Sequence, residues 1–256
     1  MTLTQEDLTI QHFARIREFR RFSDGGCGLG LKLYSPLDEY LAEHGFLTQC
    51  RYSGGWITSH KGLLALETRD KRDAERRKPH NDLARRVGRW LERQGRLSWL
   101  NQRFEISTRN DSRAVEHLDL TPNHEYRGRG LLGPSHYISR PDVISINNTT
   151  RRVNYEPWIF EVKVSKRDFD GDVKKPQKRL AYALLAERIY YACPKGLIAI
   201  EDVPTGCGLL VETRKGVFDV LLEAPRCKIL HSAHIKKLLK YSQIESSAEP
   251  RIGSFG

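Results

Sequence analysis

The sequence predicts an α/β domain with a mixed central sheet flanked by helices, preceded by a small domain of helices and short strands. Three observations lead there. Trp158-Ile-Phe-Glu-Val-Lys-Val-Ser165 alternates on a two-residue period and is apolar enough to be an inner strand. Segments of strand and helix pattern follow one another through the second half of the chain. Apolar residues make up 39% and charged residues 29%, enough for a real core and too polar for a membrane protein.

Composition narrows the function classes. The 256 residues suit one large or two small domains. No apolar run approaches the ~18 residues of a membrane helix, and Met1-Thr-Leu-Thr-Gln-Glu-Asp7 is unlike a signal peptide. The five cysteines are odd in number, scattered and without a CxxC pair, so a zinc ribbon is not expected. A reduced, cytoplasmic protein with no membrane partner is the expectation. Lys and Arg number 43 against 32 Asp and Glu, a net charge of +11. Such an excess points to a polyanionic partner, most commonly nucleic acid. A merely soluble basic protein is the plain alternative.

The first domain is expected over residues 1–75. Leu8, Phe13, Ile16 and Phe19 place a helix within Gln5–Phe22, and Gly25–Gly30 breaks it. That glycine run lacks the GK[ST] ending of a phosphate-binding loop. Ser35 suits an N-cap, Pro36 a first helical position and Gly45 a helix end. Short strands follow at Phe46–Tyr52 and Trp56–Thr58 around a Ser53-Gly-Gly55 turn, and a helix closes through Leu66. From Pro36 to Leu66 this order, with EHGFLT, the Gly-Gly turn and ITSHKG, resembles a winged helix-turn-helix domain. The resemblance implies a recognition helix around Asp38–Glu43. Because that helix carries Asp38, Glu39 and Glu43, both DNA and a protein partner are open for this domain.

The second domain is expected over residues 76–245, with a loose tail at 246–256. The charge run Arg69–Lys78 reads as a solvated linker or helix end before Pro79. Leu83, Val87, Trp90 and Leu91 form a helical stripe within Asn81–Gln94. Arg85, Arg86, Arg89 and Arg93 crowd the other side, as a solvated face or a phosphate-tracking surface. A first strand is expected over Trp99–Ser107, an insertion over residues 109–136, and a strand over Tyr137–Ile146. The Trp158–Ser165 strand is followed by a helix at Pro176–Glu187, a strand from Ile189, and a hairpin of Gly208–Glu212 with Val217–Leu222. A basic helix is expected at Leu230–Tyr241.

The chemistry gathers on two strands. Period two sends Trp158, Phe160, Val162 and Val164 into a core, and Ile159, Glu161, Lys163 and Ser165 to the other side. Burying such charges costs several kcal/mol unless they are paired or used. In Arg140-Pro141-Asp142, Pro141 suits a strand start and leaves Asp142 at the entrance. If the two strands pair, Asp142 and Glu161 converge on one hard cation, Mg²⁺ or Mn²⁺, with water completing the shell. Lys163 then serves the attacking water and offsets charge on the phosphoryl group. The plain alternatives are a structural Glu161–Lys163 ion pair and a turn role for Asp142.

Pro141-Asp142 with Glu161-Val162-Lys163 resembles the PD-(D/E)XK nuclease superfamily, and the helix and strand order suits its αβββαβ core. Over roughly Arg140–Glu212 the chain is similar to MmcB-type DNA repair proteins of that superfamily, through Ser165, Asp168, Phe169, Asp172 and Lys174 after the catalytic strand, then Tyr182, Ile189–Ala192 and Gly208–Val211. The resemblance implies a restriction-endonuclease-like fold and a Mg²⁺- or Mn²⁺-dependent deoxyribonuclease of DNA repair or anti-phage defence. Asp142 and Glu161 would be its metal ligands, with Lys163 beside them. A homodimer would suit cutting of both strands. Lys166, Arg167, Lys174, Arg85 and Arg89 are the candidate phosphate contacts. Glu105, Asn81, Gln177 and Tyr182 are the auxiliary candidates, and Asp168 and Asp172 could support a metal or, for Asp172, cap a helix. His44, His60, His80, His117, His124 and His136 lack paired metal spacing and read as surface or hydrogen-bonding residues. The rival classes are a non-catalytic DNA-binding regulator on a dormant nuclease fold and a protein-docking adaptor.

Overall fold

Phe13, Ile16 and Phe19 recur at helical spacing, and helix α1 (Ile10–Asp24) turns them onto Leu41, Phe46 and Leu66 to make the core of an amino-terminal unit. The computed structural model describes residues 7–24, 30–107, 136–149 and 155–226, without the side chains of 22–24, 105–107, 136 and 137. Most of the Gly25–Gly30 turn and of the insertion at 109–136, the helix expected at Leu230–Tyr241 and the tail at 246–256 lie outside the described residues. The chain divides into Met1–Lys78 and Pro79–Gly256, against an expected boundary at 75/76.

In the first unit, α2 (Pro36–Glu43) starts in a reciprocal cap. Ser35 Oγ accepts the Asp38 N–H at 3.2 Å, and the Asp38 carboxylate accepts the Ser35 N–H at 3.2 Å. Gly45, at φ +77°, ends the helix in the left-handed region. Strands β1 (Leu47–Gln49) and β2 (Trp56–Thr58) pair antiparallel, Leu47 opposite Thr58. Helix α3 then begins at His60 against this ribbon. A Cβ at Gly62 would lie 2.4 Å from the Phe46 carbonyl oxygen and 2.8 Å from Thr58 Cγ2. Gly62→Ala is therefore expected to lower stability by about 1–3 kcal/mol in denaturant titration, and an unchanged midpoint would refute this packing.

Helix α3 runs unbroken from His60 to Arg93, through the segment expected to be a linker and through Pro79. Within the run Arg69–Lys78 the charges pair along one helical face, Asp73 meeting Arg69 at 3.7 Å and Arg76 at 3.3 Å, which adds modest support to the helix. Pro79 lacks an N–H and so loses one helical hydrogen bond, without ending the helix. Asn81, expected at a helix start, lies in its interior.

The second unit is built on a mixed six-stranded sheet. The strands are β3 (Arg96–Leu100), β6 (Val143–Asn147), β7 (Trp158–Val162), β8 (Arg188–Pro194), β9 (Gly208–Arg214) and β10 (Val217–Leu222). Their spatial order is β10-β9-β8-β7-β6-β3. The pairs β7/β8 and β8/β9 are parallel, and β3/β6, β6/β7 and β9/β10 are antiparallel. Between β7 and β8 lie α4 (Lys166–Val173) and α5 (Pro176–Ala183), the latter shorter than the helix expected to Glu187.

Two expected strands are each divided. Trp99–Ser107 splits at Asn101, which takes φ +54°, and Tyr137–Ile146 splits at Pro141. The outer pieces, β4 (Phe104–Ser107) and β5 (His136–Ser139), pair in a separate ribbon. On one face of the main sheet, Leu83, Val87 and Leu91 of α3 pack on Val143, Phe160 and Val162. On the other, Phe169 of α4 and Ala181 and Tyr182 of α5 pack on Ile144, Ile159 and Tyr191. The alternation expected from Trp158 to Val164 is present, but the Glu161 side is also covered, by α4 and α5. Among the described residues no helix is long and apolar enough to cross a membrane.

Candidate functional site

Strand register alone brings the first two charges together. Val143 faces Phe160 and Ile144 faces Ile159 across the antiparallel β6/β7 pair. One step outward, Asp142 stands opposite Glu161, and opposed residues of such a pair project to the same face. The Asp142 Oδ2 atom accepts the Val162 N–H at 2.8 Å. Pro141 stops β5 just before it, and the Asn101 N–H holds the Asp142 carbonyl at 3.0 Å.

Lys163 follows β7 directly, its N–H held by the Ala192 carbonyl at 2.9 Å. Glu161 and Lys163 share a face, and the Lys163 ammonium meets Glu161 Oε1 at 2.9 Å. Both side chains are almost wholly buried, as is Asp142. The sequence-predicted trio of Asp142, Glu161 and Lys163 therefore converges at the ends of two central strands.

Helix α5 adds a second layer. Lys178 and Tyr182 stand four residues apart on one helical face. The Tyr182 hydroxyl donates to Glu161 Oε2 at 2.7 Å, and the Lys178 ammonium also contacts Glu161 Oε1. Lys178 reaches Asp172 Oδ1 at 2.7 Å as well. Asp172, buried near the end of α4, accepts the Tyr191 hydroxyl at 3.1 Å and lies 3.5 Å from the Lys163 ammonium. It does not cap α5, whose N-cap is Lys175. Gln177, one position from Lys178, is exposed instead.

From the opposite face of the sheet, α3 contributes His80. Its Nε2 lies 3.1 Å from Asp142 Oδ2, and its Nδ1 is 3.5 Å from Asn81 Oδ1. The hydrogen bond to Asp142 raises the His80 pKa, against the opposing effect of burial.

Electrostatics follow from this crowding. Burial, then the charge of Asp142, pushes the Glu161 carboxyl above the usual range. Burial alone would raise Asp172, but Lys178, Lys163 and the Tyr191 hydroxyl together outweigh it and hold that carboxyl below its ordinary value. Burial would lower the Lys178 ammonium, and Glu161 and Asp172 more than offset it. Burial and Glu161 drive the Tyr182 hydroxyl far upward, which keeps it a donor.

The two strand carboxylates differ in what they can offer a cation. Asp142 has one oxygen tied to Val162 and His80, while its Oδ1 has no hydrogen-bond partner among the described residues. Both oxygens of Glu161 are engaged. Among the described residues no cluster of three or more His, Cys, Asp or Glu side chains is arranged to hold a metal. A dication would therefore rest on two carboxylates, with water and substrate oxygens completing its shell, which suits Mg²⁺ better than Zn²⁺. The donor set fits on those terms.

The other candidates scatter. Glu105 stands on β4 opposite Ile138, its side chain outside the described residues. Lys166 is paired with Asp202 at 2.5 Å and Asp170 at 3.5 Å, and Arg167 and Lys174 are exposed. Arg167, Ser165, Asp168, Asp172 and Lys175 line a cavity of about 300 Å³ beside Lys163. The Asp168 carboxylate is 3.8 Å from Lys163. Arg85 and Arg89 are exposed on α3, on the other side of the sheet from α4, with Arg85 bonded to Asp82 at 2.9 Å. Arg86 leaves that basic face to grip Glu212 at 2.5 and 2.9 Å. His80 and Lys178 are the site residues that sequence reasoning missed. The spacing of Lys178 to Tyr182 was the available signal for one. For His80 there was none, since it approaches from another layer.

No family model matches the chain, and no curated protein matches it. Among solved structures, the SPO1766 protein of unknown function from Silicibacter pomeroyi aligns at 20% identity and a TM-score of 0.43, covering 68% of this chain and 97% of that one.

Proposed function

We propose that the chain is a metal-dependent nuclease that hydrolyses DNA phosphodiester bonds. On this reading Pro79–Gly256 is a restriction-endonuclease-like domain and Met1–Lys78 a winged-helix-like module that docks DNA or protein. The observation that carries it is the meeting of Asp142, Glu161 and Lys163 at adjoining strand ends, with one oxygen of Asp142 unpartnered among the described residues. The net charge of +11 supports a polyanionic substrate. A structural ion pair alone would need neither the third charge nor its desolvation.

Asp142 and Glu161 would hold Mg²⁺ or Mn²⁺. When bound, the cation supplies charge compensation at a phosphoryl oxygen and a more acidic water. His80 and the Val162 N–H fix the rotamer of Asp142, and Tyr182 fixes that of Glu161. Lys163 places a positive charge where the phosphate becomes more anionic. Arg167 lines the cavity that Asp168 and Asp172 share beside Lys163, and is one of the proposed phosphate contacts. A reduced, cytoplasmic setting and a role in DNA repair or defence belong to the same proposal.

The test is cleavage of plasmid and single-stranded DNA by the full chain, with Mg²⁺, with Mn²⁺ and with chelator. Cleavage should need the cation and fall by at least about a hundredfold in Glu161→Gln and Lys163→Met. Cleavage unaffected by both changes refutes the assignment. The closed ion network around Glu161 favours one second reading, a non-catalytic DNA binder. It predicts no cleavage, with salt-sensitive binding that survives Asp142→Ala.

A further inference from the structure

We propose that Lys178 is a positioning residue that sets the strength of cation binding: its ammonium occupies coordination space at Glu161 Oε1 and has to withdraw onto Asp172 before a dication is held at that oxygen. The inference rests on the nuclease reading and concerns its cation site.

The two carboxylates are not equally ready. Asp142 can present Oδ1 with its other contacts intact. Glu161 is the more crowded, because Lys163 and Lys178 both donate to Oε1 and Tyr182 donates to Oε2. For a cation to take Oε1, one of its two ammoniums has to give way. Tyr182 is locked in the core beneath the sheet. Lys163 is only 4% exposed at its side chain and is fixed by its own backbone to Ala192.

Lys178 is the mobile one. Its side chain is 31% exposed, and its ammonium sits at the end of four methylenes on a helix surface. It also has a second partner already in place, Asp172 Oδ1 at 2.7 Å. Asp172 is itself anchored by Tyr191 and lies near Lys163. By moving to Asp172 alone, Lys178 keeps one ion pair while it frees Glu161 Oε1. An ammonium left against Glu161 would repel an incoming dication at close range. Lys178 thus acts as an internal counter-ion that the cation has to outcompete.

Mn²⁺ binding to the full chain, measured by isothermal titration calorimetry at one pH and ionic strength, tests this without any cleavage assay. Lys178→Gln should bind Mn²⁺ about tenfold more tightly than the wild type. Lys178→Arg, which keeps the charge, should not. Lys215→Gln removes a charge from an exposed position in the turn between β9 and β10, outside the network, and should change affinity less than about twofold. Glu161→Gln should lose the binding. Lys178→Met keeps the apolar stem and is measured alongside, in case the glutamine variant loses its fold. Wild-type binding through Glu161 that is unchanged or weakened in Lys178→Gln and Lys178→Met overturns the proposal alone. Absence of Mn²⁺ binding in the wild type, Lys178→Gln and Lys178→Met overturns it together with the nuclease reading.

Discussion

Asp142→Asn is expected to lower metal-dependent DNA cleavage on the order of a thousandfold while the fold stays intact. The substitution is isosteric. The amide oxygen can still accept the Val162 N–H, which Asp142 Oδ2 now accepts at 2.8 Å. What disappears is the negative charge, and the Oδ1 position becomes an NH₂ that cannot ligate a cation. The loss should appear in cleavage rate and in Mn²⁺ affinity together, with DNA binding at low cation preserved. Its neighbour should respond too. The charge of Asp142 is one reason the Glu161 carboxyl lies high, second to burial. Removing that charge should bring Glu161 down, which infrared titration of the carboxyl can follow. Cleavage undiminished in Asp142→Asn would remove this residue from the proposed site.

Asp38→Ala is expected to destabilise the amino-terminal unit by about 3–5 kcal/mol. Asp38 is fully buried and accepts from Arg15 Nε at 2.6 Å and Arg15 Nη2 at 2.8 Å. The same carboxylate takes the Tyr34 N–H at 2.9 Å and closes the cap of α2. Truncation strands the guanidinium and opens the cap at once. The sign of the pH effect follows from the pair. The Arg15 hydrogen bonds hold the Asp38 carboxyl below its ordinary 3.8, despite burial. Its stabilising contribution is thus complete above that value and is lost as pH falls below it through the folded pKa. Hydrogen-exchange protection over α1 and α2, relative to the intrinsic rate at each pH, should fall in Asp38→Ala at neutral pH, and in the wild type only under acid. Equal protection in the two proteins at pH 7 would show that the pair contributes no net stability.

Asp38 also shows how a sequence pattern misleads. Counted along the chain, α2 carries three acidic residues, which weighs against a DNA-reading surface. Folded, one of them faces inward and is neutralised by Arg15, so the exposed face keeps Glu39 and Glu43. Arg86 is the mirror case. It belongs to a basic stripe by spacing, yet it is spent on Glu212 from β9, 126 positions away. Charge runs report composition of a face only when each member's partner is also local.

The strand pattern around Glu161 was legible because period two is a property of backbone geometry, and Pro141 marked a strand start through its missing N–H. Two residue classes were therefore placed correctly, the apolar face of β7 and the charges opposite it. Helix α3 was not legible as one element, since local rules treat a charge run before a proline as an end. Along it Asp73 pairs with Arg69 and Arg76, and each end carries residues of a buried apolar cluster.

Local chemistry alone determined the alternation of Trp158–Val164, the cap at Ser35, the position of Asp142 at a strand entrance and the basic character of the chain. Register, layer packing and burial decided the rest. They set Asp142 opposite Glu161, brought His80 and Lys178 to them from the two faces of the sheet, and engaged every oxygen of one carboxylate while leaving one oxygen of the other without a partner among the described residues. The reason is range. Backbone dihedrals and capping act over a few residues, whereas a desolvated charge takes its partner from whatever the fold places within a few ångströms, at any distance along the chain.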